Sequence, residues 1–268
     1  MVRTLSLFRA MLLSSRRYKL DWWGSFFFPL LTVIPAVVVI WYGDQLGLLE
    51  NFVKAVGIRN YLGYLLIGVV YWNYVEILWS TIFILRYQMR TGQFEDVFLS
   101  PITGLEYILG WAMLGVVRVT MESIPLLLLA LLSNIFQMTI LGVLWALFVF
   151  FLSMIASFGL TFAIFGLTLV FKEGDELASL VGNAAPFLGG LFFPVTILPP
   201  FLQWFSLVLP FTWGIDLIRH LLLGSRTIIT FAQGVTILFI LAMAFLLLGV
   251  LVYQRLTQVA RMRGVQGF

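Results

Sequence analysis

Long apolar runs alternate with short polar connections along the whole chain, and this pattern predicts helices that cross a membrane. A helical span needs roughly 20 mostly apolar residues, whereas membrane strands would be alternating segments of about 10 residues. The runs here are long and unbroken. The predicted spans are residues 24–42, 61–85, 105–133, 138–171, 177–193 and 231–253. The pattern thus predicts an all-α polytopic membrane protein, with six transmembrane helices in a single transmembrane domain over residues 1–268.

Three further segments complete the predicted organisation. Residues 1–23 carry Leu5, Phe8 and Leu12 at helical spacing among basic residues and end in two tryptophans, which suits an amphipathic helix at the membrane interface. Residues 194–224 are apolar but rich in proline, so we expect a re-entrant helical hairpin in the outer leaflet instead of a full span. Residues 254–268 form a tail.

Composition and charge agree with a membrane protein. The chain is 62% hydrophobic and 10% charged, against about 25% charged residues in soluble domains. Its net charge of +4 could indicate a nucleic-acid partner, but it is better explained by the orientation of the chain in the membrane. Arg and Lys concentrate in the N-terminal segment, the connection after the second span and the C-terminal tail, which predicts that both termini are cytoplasmic.

The sequence lacks several motifs that mark known classes of enzyme. There is no phosphate-loop motif, no G-x-S-x-G nucleophile motif and no cysteine. His220 is the single histidine, so a helix with two histidine ligands is excluded and a structural role for His220 is favoured. We therefore expect neither catalysis nor a bound metal or cofactor in this chain.

Apart from Glu106 at the entrance of the third span, three charged residues fall inside predicted spans. Glu76 lies in the second span, and Arg118 and Glu122 lie in the third at i, i+4 spacing. A rise of about 1.5 Å per residue places Glu76 and Arg118 at similar depth. Because a lone charge at the bilayer centre costs about 2.5–3.5 kcal/mol, we expect these three groups to pair. They would either line a cavity or gate, or lock two helices together.

The connection after the second span, residues 89–103, has its own amphipathic pattern. Gly92 breaks the preceding helix, Phe94, Val97 and Phe98 recur at i, i+3 and i+4, and Ser100-Pro101 ends the segment. Glu95 lies in the first turn, where the helix dipole favours acids. The spacing predicts a short cytoplasmic helix whose apolar face is covered by lipid headgroups or by a soluble partner.

Two motifs resemble those of a known family. The run from Gly92 to Pro101 resembles the G-T-L-E-x-L-L-x-S-P run that follows the second span in the membrane subunits of ATP-binding cassette exporters of the type-two permease family, although Gln93 replaces the usual threonine. A second run resembles that family's pattern of small residues, an aromatic-Pro step, Leu-Pro, a further Pro and a downstream Arg. The matching positions are Gly190, Phe193, Pro194, Leu198, Pro199, Pro210 and Arg219.

The resemblance implies an ATP-driven exporter in the plasma (inner) membrane of a prokaryote. It implies a second permease subunit, identical or related, and two cytoplasmic ATPase subunits that bind ATP and Mg. The ATPases would contact a coupling segment that comprises Arg90, Gly92, Phe94, Glu95, Val97, Phe98, Ser100 and Pro101. Residues 172–176 are a second candidate contact, although such an acidic run is more often a solvated loop.

The substrate class stays open at this point. The resemblance implies a hydrophobic or amphipathic, drug-like or lipid-like substrate, with a lipid-linked polysaccharide as the alternative. A membrane-embedded enzyme or a scaffold that acts without nucleotide is the rival from another class. Membrane lipids are the other expected contact, and no nucleic acid is expected.

Overall fold

The computed structural model describes residues 2–47, 49–91, 104–132, 136, 139–170 and 174–262. Over these ranges the chain forms ten α-helices and a short 3-10 turn, and contains no strand. The helices are α1 (Val2–Arg17), α2 (Lys19–Gln45), α3 (Leu49–Val56), α4 (Tyr61–Arg90), α5 (Gly104–Leu132), α6 (Ile140–Val170), α7 (Gly174–Leu188), α8 (Pro200–Val208), α9 (Pro210–Leu223) and α10 (Phe231–Met262), with the 3-10 turn at Val195–Ile197.

Four helices in the described ranges, α4, α5, α6 and α10, are long and apolar enough to cross a membrane. The count is five if the bent pair α8–α9 forms one broken span. Helix α7, the predicted fifth span, has 15 residues, which corresponds to about 22 Å and is shorter than a hydrocarbon core of about 30 Å. The fold is therefore that of a multi-pass α-helical membrane protein, and the predicted number of six spans is not confirmed.

The N-terminal region differs from the predicted boundaries. Helix α1 ends at Arg17, and α2 begins at Lys19 and continues through the predicted first span to Gln45. The two tryptophans assigned to the interfacial segment thus belong to α2. Helix α1 packs along α5, where Gly110 leaves room for Leu7; a Cβ at Gly110 would lie 2.7 Å from the Leu7 side chain.

Helix α3 was not predicted. It is an eight-residue helix in the connection between α2 and α4, and it begins and ends next to Gly47 and Gly57, both of which have positive φ. Phe52 and Val56 are buried and join the main hydrophobic core, where Phe52 packs edge-on against Tyr64. This helix covers the start of α4.

Helix α4 lies at the centre of the fold. In the apolar stretch of α4 that is long enough to span a membrane, 56% of the residues are buried within the chain, whereas the figure for α10 is 17%. It contacts α2, α5, α6, α7 and α9, and its buried Tyr71, Val75 and Trp79 form part of the core. The outer faces of α5, α6 and α10 carry exposed Leu, Ile and Phe side chains, as expected for surfaces in contact with lipid or with another membrane subunit.

Helices α6 and α10 make the most extensive contact of any pair. The contact is close because both helices carry glycine at the crossing. A Cβ at Gly159 would lie 2.5 Å from the backbone carbonyl of Phe245, and one at Gly249 would clash with the carbonyl oxygen of Gly159. Small residues permit such close approach of helices in membranes.

Candidate functional site

A cleft of about 340 Å³ lies between α4 and α5 and is lined by Glu76, Arg118 and Glu122, the three charged residues grouped from the sequence. Helix α1 contributes Ser15 to its wall. The residues from the other two helices recur at intervals of three and four, which places them on one face of each helix. They are Asn73, Glu76, Ile77, Ser80 and Ile84 from α4, and Trp111, Leu114, Gly115, Arg118, Val119 and Glu122 from α5.

The cleft has a defined charge arrangement. Nε of Arg118 donates to Oε1 of Glu122 across 3.4 Å, and the two side chains are 46% and 24% exposed. Glu76 is exposed in the same cleft, and among the described residues its side chain has no hydrogen-bond or ion-pair partner. The structure thus brings together all three residues that the sequence grouped, and the ion pair that it shows is formed within α5.

Close packing between α4 and α5 fixes the shape of the cleft. A Cβ at Gly115 would lie 2.8 Å from a methyl group of Ile77, so glycine is needed for the two helices to approach here. The hydroxyl groups of Tyr74 and Thr120 form a hydrogen bond of 3.0 Å between the same helices. The polar side chains therefore project from a fixed pair of backbones.

The predicted re-entrant segment forms two helices that meet at a sharp angle. Pro200 is the first residue of α8 and Pro210 the first of α9, positions at which the missing amide donor of proline costs no hydrogen bond. Pro194 precedes the 3-10 turn, Leu198 follows it, and Pro199 precedes α8. The axes of α8 and α9 differ by 91°.

Arg219 of α9 is fully buried and fastens this segment to α4. Its Nε donates to the carbonyl oxygen of Tyr64 at 3.1 Å, Nη1 to that of Gly190 at 2.6 Å, and Nη2 to that of Leu191 at 2.6 Å. The guanidinium carbon also lies 3.3 Å from the centre of the Tyr64 ring. A buried charge is tolerated only when it is paired or hydrogen-bonded, and here three carbonyl groups and an aromatic face surround it.

The Arg219 contact depends on two glycines. Gly190 has a φ of 77°, and this left-handed turn directs its carbonyl group toward Arg219. At Gly68 of α4, a Cβ would lie 2.5 Å from Nη2 of Arg219. Gly190 and Arg219 were singled out in the sequence. Tyr64 and Gly68 were missed, because no local pattern connects them to a residue on a distant helix.

His220 has a structural contact. Its Nδ1 lies 2.6 Å from the carbonyl oxygen of Ser225, just past Gly224, the residue with a φ of 70° that follows the end of α9. The described part of the chain contains no group of three or more His, Cys, Asp or Glu side chains able to hold a metal ion.

Most of the predicted coupling segment lies outside the described residues. Arg90 is the last residue of α4, and Gly92, Phe94, Glu95, Val97, Phe98, Ser100 and Pro101 follow it in the undescribed interval. The structure does describe the two helices that this interval joins. They are α4 and α5, the same helices that form the charged cleft.

These features define a class of protein, a multi-pass α-helical membrane protein with a broken helix pair and a charged cleft between two long helices. Residues 3–223 match the sequence model of the ABC-2 type transporter family. The match extends from α1 to the end of α9 and includes both motifs, and the chain belongs to this family. It is therefore the transmembrane component of an ABC transporter, a domain without a nucleotide-binding motif. A comparison with curated proteins gives no match.

Proposed function

We propose that the chain is the membrane subunit of an ATP-driven exporter of hydrophobic or amphipathic molecules, powered by separate ATPase subunits. The observation that carries this proposal is the family match over residues 3–223, in a chain whose sequence has no phosphate loop of its own. On this proposal hydrolysis occurs in a partner subunit, and its effect reaches the chain mechanically.

The coupling segment is suited to that task by its position in the chain. It joins the end of α4 at Arg90 to the start of α5 at Gly104. A displacement of the segment by an ATPase would act directly on both walls of the charged cleft. Phe94, Val97 and Phe98, which share one face of the predicted helix, would fill a groove of the ATPase, with Glu95 beside them.

The exposed surfaces support a second permease subunit in the complex. Only 28% of the residues in the apolar stretch of α5, and 33% of those in the apolar stretch of α6, are buried within one chain. Glu76 and Arg118 are also open to the surface of a single chain. Because exposure of such charges to lipid is costly, an identical or related subunit would enclose them in a shared path.

Topology and substrate size complete the proposal. With the coupling segment and both termini in the cytoplasm of a prokaryotic cell, the broken pair α8–α9 lies in the outer leaflet of the plasma membrane.

A cleft of about 340 Å³ suits the head of a small amphiphile. This size favours a drug-like or lipid-like substrate over a polysaccharide, which would need a continuous channel.

Co-purification with the partner ATPase tests the coupling assignment. We expect Phe98→Asp to weaken complex formation at least tenfold, because it places a charge in an apolar groove. Glu95→Arg should weaken it as well, since the charge at the contact is reversed. Both variants should abolish ATP-coupled transport.

Asp96→Arg is the matched control, since it makes the same change of charge one residue away, on a different face of the predicted helix. It should leave complex formation within about twofold of the parent protein. Survival of both complex formation and ATP-coupled transport in Phe98→Asp and Glu95→Arg would show that the coupling assignment is wrong.

A further inference from the structure

The cleft between α4 and α5 carries an excess of negative charge. Two carboxylates, Glu76 and Glu122, face a single guanidinium, that of Arg118. The ion pair of 3.4 Å between Arg118 and Glu122 offsets one carboxylate. The charge that remains is centred on Glu76, whose side chain has no hydrogen-bond or ion-pair partner among the described residues.

The rest of the wall suits a cation that carries an apolar body. Trp111 lines the same cleft, and the face of an indole ring is the side-chain surface that attracts cations most strongly. Asn73 and Ser80 flank Glu76 at i−3 and i+4 and supply neutral polar groups. Leu114 and Ile84 add apolar surface to the same wall.

The cleft also has a suitable extent. Its wall residues run from Asn73 to Ile84 on α4 and from Trp111 to Glu122 on α5, each a length of about 16 Å along the helix. That is about half of a hydrocarbon core of roughly 30 Å. A molecule with one charged end can therefore place this end at Glu76 and its apolar part along the remainder of the wall.

We propose that this cleft is a binding site for amphipathic organic cations, with the ammonium-like group held between Glu76 and the ring of Trp111. Arg118 keeps Glu122 occupied, so that the site has the charge of one carboxylate and matches a monovalent cation. The proposal rests on the proposed transport function and narrows its substrate class to positively charged amphiphiles.

A pair of probes with the same shape and opposite charge tests the proposal. Tetraphenylphosphonium is a lipophilic cation, and tetraphenylborate is a lipophilic anion of the same architecture. Binding of each would be measured by equilibrium dialysis to the full-length protein in phosphatidylcholine nanodiscs, both alone and with its ATPase, and empty nanodiscs would correct for partitioning into lipid. We expect specific binding of the cation at least tenfold tighter than that of the anion.

Three substitutions examine the charges separately. Glu76→Gln should raise the Kd for tetraphenylphosphonium about tenfold, since it removes the charge that faces the cation and such a charged partner is worth about that factor. Glu76→Asp should retain most of the affinity. Arg118→Gln should lower the Kd, because Glu122 is then no longer offset, whereas damage to the packing alone would raise it.

Glu50→Gln is the control, because it removes a carboxylate from the exposed surface of α3, outside the cleft, and it should leave binding unchanged. The proposal is overturned if tetraphenylphosphonium binds no more tightly than tetraphenylborate, or if folded Glu76→Gln keeps the parent Kd. Should Glu76→Gln fail to fold, the Kd of Arg118→Gln for tetraphenylphosphonium decides: a lower Kd than that of the parent protein supports the proposal, and an equal or higher Kd overturns it. Tighter binding of the anion would identify a site for anionic amphiphiles on Arg118 instead.

These binding measurements, together with assays of ATP-driven transport and of ATPase binding, separate this inference from the proposed function. Loss of cation selectivity in a complex that still performs ATP-driven transport contradicts only the assignment of the cleft. Cation binding that persists in a chain unable to bind an ATPase contradicts only the exporter assignment.

Discussion

At the scale of single residues, Arg219 shows how a sequence motif and a structural role are related. The resemblance placed Arg219 at the end of a proline-rich motif, but its contacts could not be predicted. Its acceptors belong to Tyr64, 155 residues earlier, and to the turn at Gly190 and Leu191. Side-chain pairs at this separation depend on how the helices pack, and one chain's local periodicity does not encode that packing.

Replacement of the Arg219 guanidinium tests whether its hydrogen bonds stabilise the packing of α9 against α4 and the turn after α7. Arg219→Lys keeps the charge but cannot reproduce the planar fork that serves three carbonyl groups. Each lost charge-assisted hydrogen bond costs about 1.5–3 kcal/mol, so we expect a clear fall in the Tm of the detergent-purified protein.

Arg226→Lys is the matched comparison, because Arg226 is exposed and its Nη1 lies 3.5 Å from the carbonyl oxygen of Lys54. This change should alter stability by no more than about 0.5 kcal/mol. Equal Tm values for Arg219→Lys and Arg226→Lys would mean that the hydrogen bonds of the buried guanidinium do not stabilise the fold.

The Arg118–Glu122 ion pair gives a second prediction at this scale. Glu122→Arg alone places two cations four residues apart on α5 and should reduce assembly in the membrane, as measured by the yield of monodisperse protein. The double change Arg118→Glu with Glu122→Arg restores opposite charges at the same spacing and should recover that yield. Absence of recovery would count against direct pairing.

At the scale of helices, the long apolar runs predicted most long elements because a span of this length is encoded locally. Helices α4, α5, α6 and α10 begin within two residues of the predicted spans, although α4 and α10 extend further at their ends. Helix α3 was missed because eight residues between two spans are too short for a periodic signal to stand out. The glycines at Gly47 and Gly57 were the available signal.

The crossing of α6 and α10 can be tested with two alanine substitutions in helices. Gly159→Ala would place its Cβ 2.5 Å from the carbonyl group of Phe245, which cannot move away without shifting α10. Overpacking of this kind costs about 1–3 kcal/mol, so we expect a lower Tm.

Gly182→Ala, in a helix away from this crossing, supplies the control. In α7 the nearest atom to a Cβ at Gly182 is 4.0 Å away, on Trp79. Because alanine favours helices over glycine by up to about 1 kcal/mol, this variant should be as stable as the parent protein or more stable. A Tm for Gly159→Ala at or above that of Gly182→Ala would contradict the close crossing.

At the scale of the whole molecule, the composition and the long apolar runs predicted a membrane protein. The family match confirms a transporter domain. The grouping of Glu76, Arg118 and Glu122 followed from depth counting, since α4 and α5 are antiparallel neighbours. The volume of the cleft and the exposure of its charges could not be predicted, because both depend on the gap left between packed helices. These are also the properties that favour a small amphipathic substrate.

The most direct test of the central claim, that this chain transports molecules under the control of a separate ATPase, uses proteoliposomes that contain both proteins. Uptake of tetraphenylphosphonium, tetraphenylborate and a neutral fluorescent lipid analogue would be followed with ATP, with ADP, and with Glu95→Arg in place of the parent chain. We predict ATP-dependent movement of at least one probe, and its loss with ADP and in the variant. Movement of every probe at the same rate without ATP, or without the ATPase subunit, would show that the chain is not an ATP-driven transporter.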